Sequence, residues 1–206
     1  MDPEKIIGFI TATSLLAISP GPDNIYVLMQ SIVNGKKYGI ATVLGLMTGC
    51  IIHTSIVAFG ASTALQQNPT LFFIIKLFGA LYLLYLAYSV YKSSGTIELK
   101  NDAVPQKTVF ELFKQGFIMN VLNPKVTLFF LALFPGFLFS NTMNEVVQFY
   151  ILGLLFILVS FIIFSTIAVL AGSIADKIKK NRNVGIYMKW LQIIVFIGIA
   201  IFIMIT

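Results

Sequence analysis

Asp23 and Lys125 are the two residues of this chain best placed to do chemistry away from water. Asp23 sits in Ser19-Pro20-Gly21-Pro22-Asp23-Asn24, with apolar residues running in from Ile6 to Ile18 and out from Ile25 to Val33. Lys125 sits in Asn123-Pro124-Lys125, where an amphipathic stretch becomes a fully apolar one. Such a carboxylate is either a helix-start acid that satisfies the local dipole and backbone donors, or a functional group expected to bind an ammonium when ionised and carry a proton when it is not. The lysine serves as a structural counter-ion, as a snorkelling residue, or as a group that neutralises Asp23 until a substrate takes its place. His53, the one histidine, lies in an apolar helix, where it acts either as a proton-relay partner of Asp23 or as a packing residue.

These groups are positioned by breaks in helices. Proline cannot donate to the helical ladder, and lipid supplies no replacement partners, so non-helical backbone at membrane depth survives only inside protein or against a water-filled cavity. Ser19 or Gly21 is a good N-cap before Pro22, and Asn123 before Pro124. Half-helices starting at Pro22 and Pro124 aim unsatisfied N–H groups and positive dipole ends at the middle of the membrane from opposite sides, where a carboxylate fits. The expected binding site is therefore Ser19, Pro20, Gly21, Pro22, Asp23, Asn24, Asn123, Pro124 and Lys125, with Asp23 and His53 expected to couple to protons.

The rest of the chain is membrane. Of its 206 residues 58% are hydrophobic and 11% charged, with a mean hydropathy of +0.92. Soluble domains carry roughly 25% charge. At about 20 apolar residues per span, the length accommodates six helices and no extramembrane domain. The expected spans are Lys5 to about Val33, Tyr38 to about Thr63, Thr70 to Tyr91, a broken fourth over residues 108–139, Val146 to about Ala175, and about Tyr187 to Thr206. Gln66-Gln67-Asn68-Pro69 reads as a tight turn, residues 93–107 as a polar linker, and Lys177, Lys179, Lys180 and Arg182 as a basic turn. The net charge of +6 comes from basic residues dispersed among loops, which argues for topology rather than for nucleic acid. Lys36, Lys37, Lys92, Lys100, Lys107, Lys114, Lys177, Lys179, Lys180, Arg182 and Lys189 fall on one side, making it cytoplasmic and both termini extracytoplasmic. A re-entrant first segment would instead place the N-terminus inside. The start of the chain lacks the basic region of a secretory signal, so the first span is expected to be retained.

Pro22 and Pro124 stand about half a chain apart, and three spans per half require the halves to be inverted relative to one another. Interrupted helices at matching positions of inverted halves point to a transporter site at the midplane. The fold expected is an all-α integral membrane protein, a single domain over 1–206, of two inverted three-helix repeats (about 1–92 and 108–206). In the amphipathic stretch, Val109, Leu112, Phe113, Phe117 and Val121 share one face and Glu111, Lys114 and Gln115 the other. Gly45 and Gly49 permit close helix contact, within one chain or between copies in a homo-oligomer. Tyr82, Tyr85, Tyr88 and Tyr91 read as a packing stripe directed to the interface, and Lys76 as a snorkelling residue. The lone Cys50 excludes an internal disulfide and any multi-cysteine metal site.

The segment Ser19 to Asn24, the glycine-rich span with His53, the stretch Lys76 to Leu86, and Gly116-Phe117 leading to Asn120-Val121-Leu122-Asn123-Pro124-Lys125 with Phe129-Phe130 together resemble the LysE/RhtB family of bacterial amino-acid exporters. The similarity covers essentially the whole chain. It implies proton-driven efflux of an amino acid or close derivative across the bacterial inner membrane, with the two helix-break motifs matching residues 20–24 and 123–125. The partners implied are a small amino-acid substrate, protons and membrane lipid. No nucleotide motif or metal cluster is evident, so no cofactor is expected. A channel is the nearest alternative. An intramembrane enzyme would need a nucleophile and base on facing helices or clustered metal ligands, and a purely structural subunit leaves the paired breaks unexplained.

Overall fold

The computed structural model describes residues 2–61, 69–93, 107–180 and 183–205, and every regular element among them is helical. Helix α1 (Pro3–Ile18) starts at Asp2, whose carboxylate accepts the Glu4 N–H, and stops at Ser19, whose N–H bonds the Leu15 carbonyl. Ser19 and Gly21 are extended, and α2 (Pro22–Val33) restarts with proline at its first position, where the missing N–H costs nothing. Gly35, at φ 97°, adopts the backbone that glycine tolerates best and turns the chain into α3 (Lys36–Ile56), which continues as one π turn, Val57–Ala61. Helix α4 spans Pro69–Lys92.

Helix α5 (Val109–Val121) opens with a reciprocal capping box between Thr108 and Glu111. Helix α6 (Pro124–Leu133) is capped by Asn123, whose Oδ1 accepts the Lys125 N–H at 3.0 Å, and ends in a 3-10 turn, Phe134–Phe137. Three further helices follow: α7 (Glu145–Val169), α8 (Ala171–Lys180) and α9 (Asn183–Ile205). Both expected breaks are present at the expected residues.

Among the described residues, four helices are long and apolar enough to cross a membrane: Lys36–Gly60, Thr70–Lys92, Glu145–Val169 and Gly185–Ile205. The pair Val109–Val121 and Pro124–Phe137, bent by 51°, makes a fifth if it is one span. The first expected span consists of helices of 16 and 12 residues, each shorter than the roughly 20 a crossing needs. Among the described residues, then, four or five of the six expected spans are present as crossing helices.

Two boundaries differ from expectation. The fifth span ends at Val169 rather than near Ala175: Leu170 is a turn residue, and Gly172, Ser173 and Asp176 take the chain out of the apolar pattern. The expected basic turn is helical as far as Lys180, with Arg182 outside the described residues. The expected turn at residues 66–68 and linker residues 94–106 also lie outside them.

Helix α3 is central, packing most extensively on α5 and then on α7 and α2, while α4 and α9 form an outer pair. The contact with α5 depends on small residues. A Cβ on Gly45 would overlap the Phe113 carbonyl oxygen, and one on Gly116 would overlap the Thr42 carbonyl oxygen. Without a hydrophobic force between helices in lipid, such backbone approach is a main source of association. The glycines thus serve a contact within the chain. The buried seam of α5 is accordingly Leu112, Gly116 and Asn120, while Phe113, Phe117 and Val121 are only partly buried and Val109 is exposed.

Helices α1 and α6 lie antiparallel. Lys5 Nζ bonds the Leu138 carbonyl at 2.7 Å and the Asp2 N–H bonds Phe139, whereas at the other end Lys125 meets the last turn of α1. Phe9 stands edge-on to Phe134, ring centroids 5.0 Å apart, and Phe134 stacks on Phe130 at 4.1 Å. These rings belong to the larger of two buried clusters; the smaller gathers Ala17, Val27, Val43, Leu46, Met47, Phe164 and Ala168.

Candidate functional site

The two breaks meet. Asn123 Nδ2 donates to Asp23 Oδ2 at 2.7 Å, joining the starts of α2 and α6 across half the chain. With Pro22 and Pro124 at the first helical positions, Asp23 and Lys125 occupy the same second position in their half-helices. Around this junction lies a partly open cavity of about 30 Å³, lined by Leu16, Ala17, Gly21, Asp23, Asn24, Leu46, Met47, Cys50, Asn120, Asn123, Lys125, Val126, Phe156, Ser160 and Phe164. Its walls draw on both buried clusters, so it sits where they adjoin. A water occupies about 10–15 Å³ on this measure, so the cavity holds roughly two waters and is too small for an amino acid.

Of the expected binding residues, Gly21, Asp23, Asn24, Asn123 and Lys125 line the cavity. Ser19, Pro20, Pro22 and Pro124 do not; both Pro22 and Pro124 are exposed, and they act by ending the helical ladder. Asp23 and Asn24 are each 9% exposed. Asn24 Nδ2 donates to the Ala17 carbonyl at 2.7 Å, closing one of the acceptors left by the end of α1.

Lys125 is not in contact with Asp23. Its Nζ lies 3.3 Å from the Ser19 carbonyl and 3.4 Å from the Leu16 carbonyl, and 5.1 Å from the centre of the Phe196 ring. An ammonium at the C-terminal end of α1 answers both the orphaned carbonyls and the negative end of the helix dipole. Of the roles read from the sequence, direct counter-ion to Asp23 is not the geometry observed.

His53 is buried but outside the cavity lining. Its Nε2–H donates to the Asn120 carbonyl at 3.0 Å, and its ring lies 5.5 Å from that of Phe130. The carbonyl it holds is the one that also accepts the Asn123 N–H, so His53 grips the bend between α5 and α6. Cys50, read as a small packing residue, lines the cavity and shares a contact with the Asn120 side chain at 3.5 Å.

Tyr85, Tyr88 and Tyr91 face outwards, away from the site, with Tyr91 edge-on to Trp190. Lys76 lies over the Phe72 ring at 5.3 Å.

Sequence reasoning missed the contribution of α7. Its buried residues Phe149, Leu152, Gly153, Phe156, Ser160, Phe164 and Ala168 recur at three- and four-residue steps, one face of a helix. Phe156, Ser160 and Phe164 form one wall of the cavity. In a span with no charge the signal was the hydroxyl: Ser160 is the one polar side chain on that face within the cavity wall.

The family model described as LysE type translocator matches residues 14–206. The chain is 34% identical over 175 residues to the homoserine/homoserine lactone efflux protein of Salmonella typhimurium, covering 85% of this chain and 84% of that protein. It is 34% identical, with the same coverage, to the protein of the same description from Salmonella typhi. No solved structure matches the chain.

Proposed function

The chain belongs to the LysE type translocator family, and from that premise we propose that it exports a small amino acid or close derivative, homoserine first among the candidates, across the bacterial inner membrane by proton antiport. The observation that carries this reading is the Asp23–Asn123 bond at the meeting point of two helix starts, beside a small cavity. Asp23 takes the substrate ammonium when ionised and a proton when not. The start of α2, which Gly21 leaves without a side-chain cap, offers backbone N–H groups to the substrate carboxylate. The name of the Salmonella relatives supports homoserine, and a cavity without a second carboxylate supports a substrate without a second ammonium.

A cavity of about 30 Å³ admits an amino acid only if its walls part, which supports alternating access over a continuous pore. In this reading the two halves are inverted repeats, the short helices α1 and α2 together complete a sixth crossing, and both termini are extracytoplasmic. Exchanging one proton inward for one zwitterion outward moves one charge, worth about 2.3 kcal/mol per 100 mV. At 1.4 kcal/mol per decade this sustains a roughly fortyfold outward gradient per 100 mV.

The test is efflux from preloaded proteoliposomes across basic, neutral and hydroxylated amino acids, with and without an imposed proton gradient. Gradient-stimulated efflux of homoserine is the expected result. Efflux of no amino acid under either condition would refute the substrate class, and efflux indifferent to the gradient would refute the coupling.

A further inference from the structure

We propose that Ser160 reads the side chain of the exported solute and selects a short neutral side chain ending in a hydrogen-bonding oxygen. The inference rests on the export reading above and adds the specificity of the same cavity. One side of the cavity holds the groups of the two breaks, Asp23, Asn123 and Lys125; the α7 wall presents Phe156, Phe164 and Ser160. If the ammonium and carboxylate of the solute engage the first side, its side chain is left to the second.

Ser160 is 1% exposed, and its hydroxyl has no hydrogen-bond partner. The other polar side chains of the cavity wall are engaged with the chain: Asn24 with Ala17, Asn123 with Asp23, Asn120 with Cys50, Lys125 with the end of α1. Several hydroxyls on helices elsewhere turn back onto the carbonyl four residues earlier, whereas Thr13 and Ser165, like Ser160, have buried hydroxyls without a partner but lie outside the cavity wall. Ser31 bonds Val27 at 2.7 Å, Thr54 bonds Cys50 at 2.9 Å and Thr166 bonds Ile162 at 2.8 Å. Ser160 instead carries an unmade hydrogen bond beside the cavity, and a polar atom arriving there recovers the desolvation cost already incurred.

The consequence is a filter with two edges. A lysine, arginine or glutamate side chain would bury a second charge against Phe156 and Phe164 with only a neutral hydroxyl to answer it. An aliphatic side chain of the same length would fit the wall and leave Ser160 unpaired. Sites built to bond a substrate hydroxyl reject the analogue lacking it far better than apolar pockets separate one methylene from another.

The measurement is kcat/KM for efflux of homoserine and of 2-aminobutyrate, the same skeleton without the hydroxyl, in proteoliposomes bearing wild type, Ser160→Ala or Ser160→Thr. Wild type is expected to prefer homoserine by about tenfold or more. Ser160→Ala is expected to collapse that ratio towards one, chiefly through the homoserine KM, while Ser160→Thr, which keeps the hydroxyl, retains a preference. A Ser160→Ala ratio equal to that of wild type would overturn the proposal, as would equal losses for both solutes. If wild type moves neither solute but exports another amino acid, this inference fails and the export reading stands; if it exports none, both fail.

Discussion

The break between α1 and α2 and the break between α5 and α6 stand at equivalent positions but are closed by different groups. At the first, the carbonyls ending α1 are taken by Asn24 and by Lys125, a residue of the other half. At the second, the Asn120 carbonyl is taken by Asn123 N–H and by His53, again from the other half. Each half therefore supplies a side chain that closes the break in its counterpart. The helix starts differ as well. Asn123 caps α6 and lends its amide to Asp23, whereas Gly21 gives α2 no side-chain cap. In the proposed export reading, this difference makes the start of α2 the anion-facing end of the site and the start of α6 the part that orients Asp23.

The largest effect is expected at the one carboxylate shared by both breaks. Asp23→Asn keeps an oxygen to accept the Asn123 amide but can neither ionise nor carry a proton, so gradient-driven homoserine efflux should fall by about 100-fold, on the order of 2.7 kcal/mol at 1.36 kcal/mol per decade. Efflux assays on reconstituted protein of unchanged melting temperature would check it.

Lys125→Met comes next. It removes a charged donor from the end of α1, at a cost of about 1.5–3 kcal/mol, read as a lower Tm in detergent. Adding Asp23→Asn should restore only a small part of that stability, because the two charges interact without a direct contact. Full restoration in the double variant would mean that the pair is coupled as an ion pair and that the asymmetry between the breaks is misread.

His53 sharpens the second break. His53→Gln keeps an N–H for the Asn120 carbonyl and should stay within about threefold of wild type with its gradient stimulation intact, whereas His53→Leu should lose about tenfold, the equivalent of roughly 1.4 kcal/mol. Loss of gradient stimulation in His53→Gln would instead put the imidazole on the proton path.

The smallest effects separate the glycines. Gly116→Ala drives a methyl against the Thr42 carbonyl and should cost about 1–3 kcal/mol of stability. Gly21→Ala meets Lys125 Nζ at 3.5 Å and Asn24 Oδ1 at 3.7 Å on extended backbone, and should stay within about 0.5 kcal/mol. Thermal unfolding of the two variants side by side distinguishes them.

Much of this was legible in the chain itself. Proline cannot join a helical ladder, and Asn123 is a cap type, so both breaks and the equivalent positions of Asp23 and Lys125 follow from residue type and spacing. The partner of Lys125 was not legible, because it is a pair of backbone carbonyls brought near by the antiparallel packing of α1 on α6. The buried face of α5 was only partly legible, for a different reason. Apolar periodicity marks the core where the alternative is water, but in lipid the larger apolar residues can face outwards while glycine and asparagine form the seam. Gly116 and Asn120 do so here. Ser160 was hidden in a charge-free span, where a lone hydroxyl stands out only once the three- and four-residue spacing of its face is drawn. The fifth span was extended too far because Ala171 and Ile174 prolong the apolar pattern beyond the turn at Leu170.

In the proposed export reading, the solute passes through the junction of the two breaks. Cys50 tests it directly, being the one cysteine of the chain, buried, and part of the cavity wall. Its rate of alkylation by a membrane-permeant maleimide would be followed in reconstituted protein with and without saturating homoserine. Homoserine is expected to slow alkylation several-fold in wild type and to have no effect in Asp23→Asn. An alkylation rate indifferent to homoserine, in wild-type protein that is transporting it, would contradict the account and place the path elsewhere.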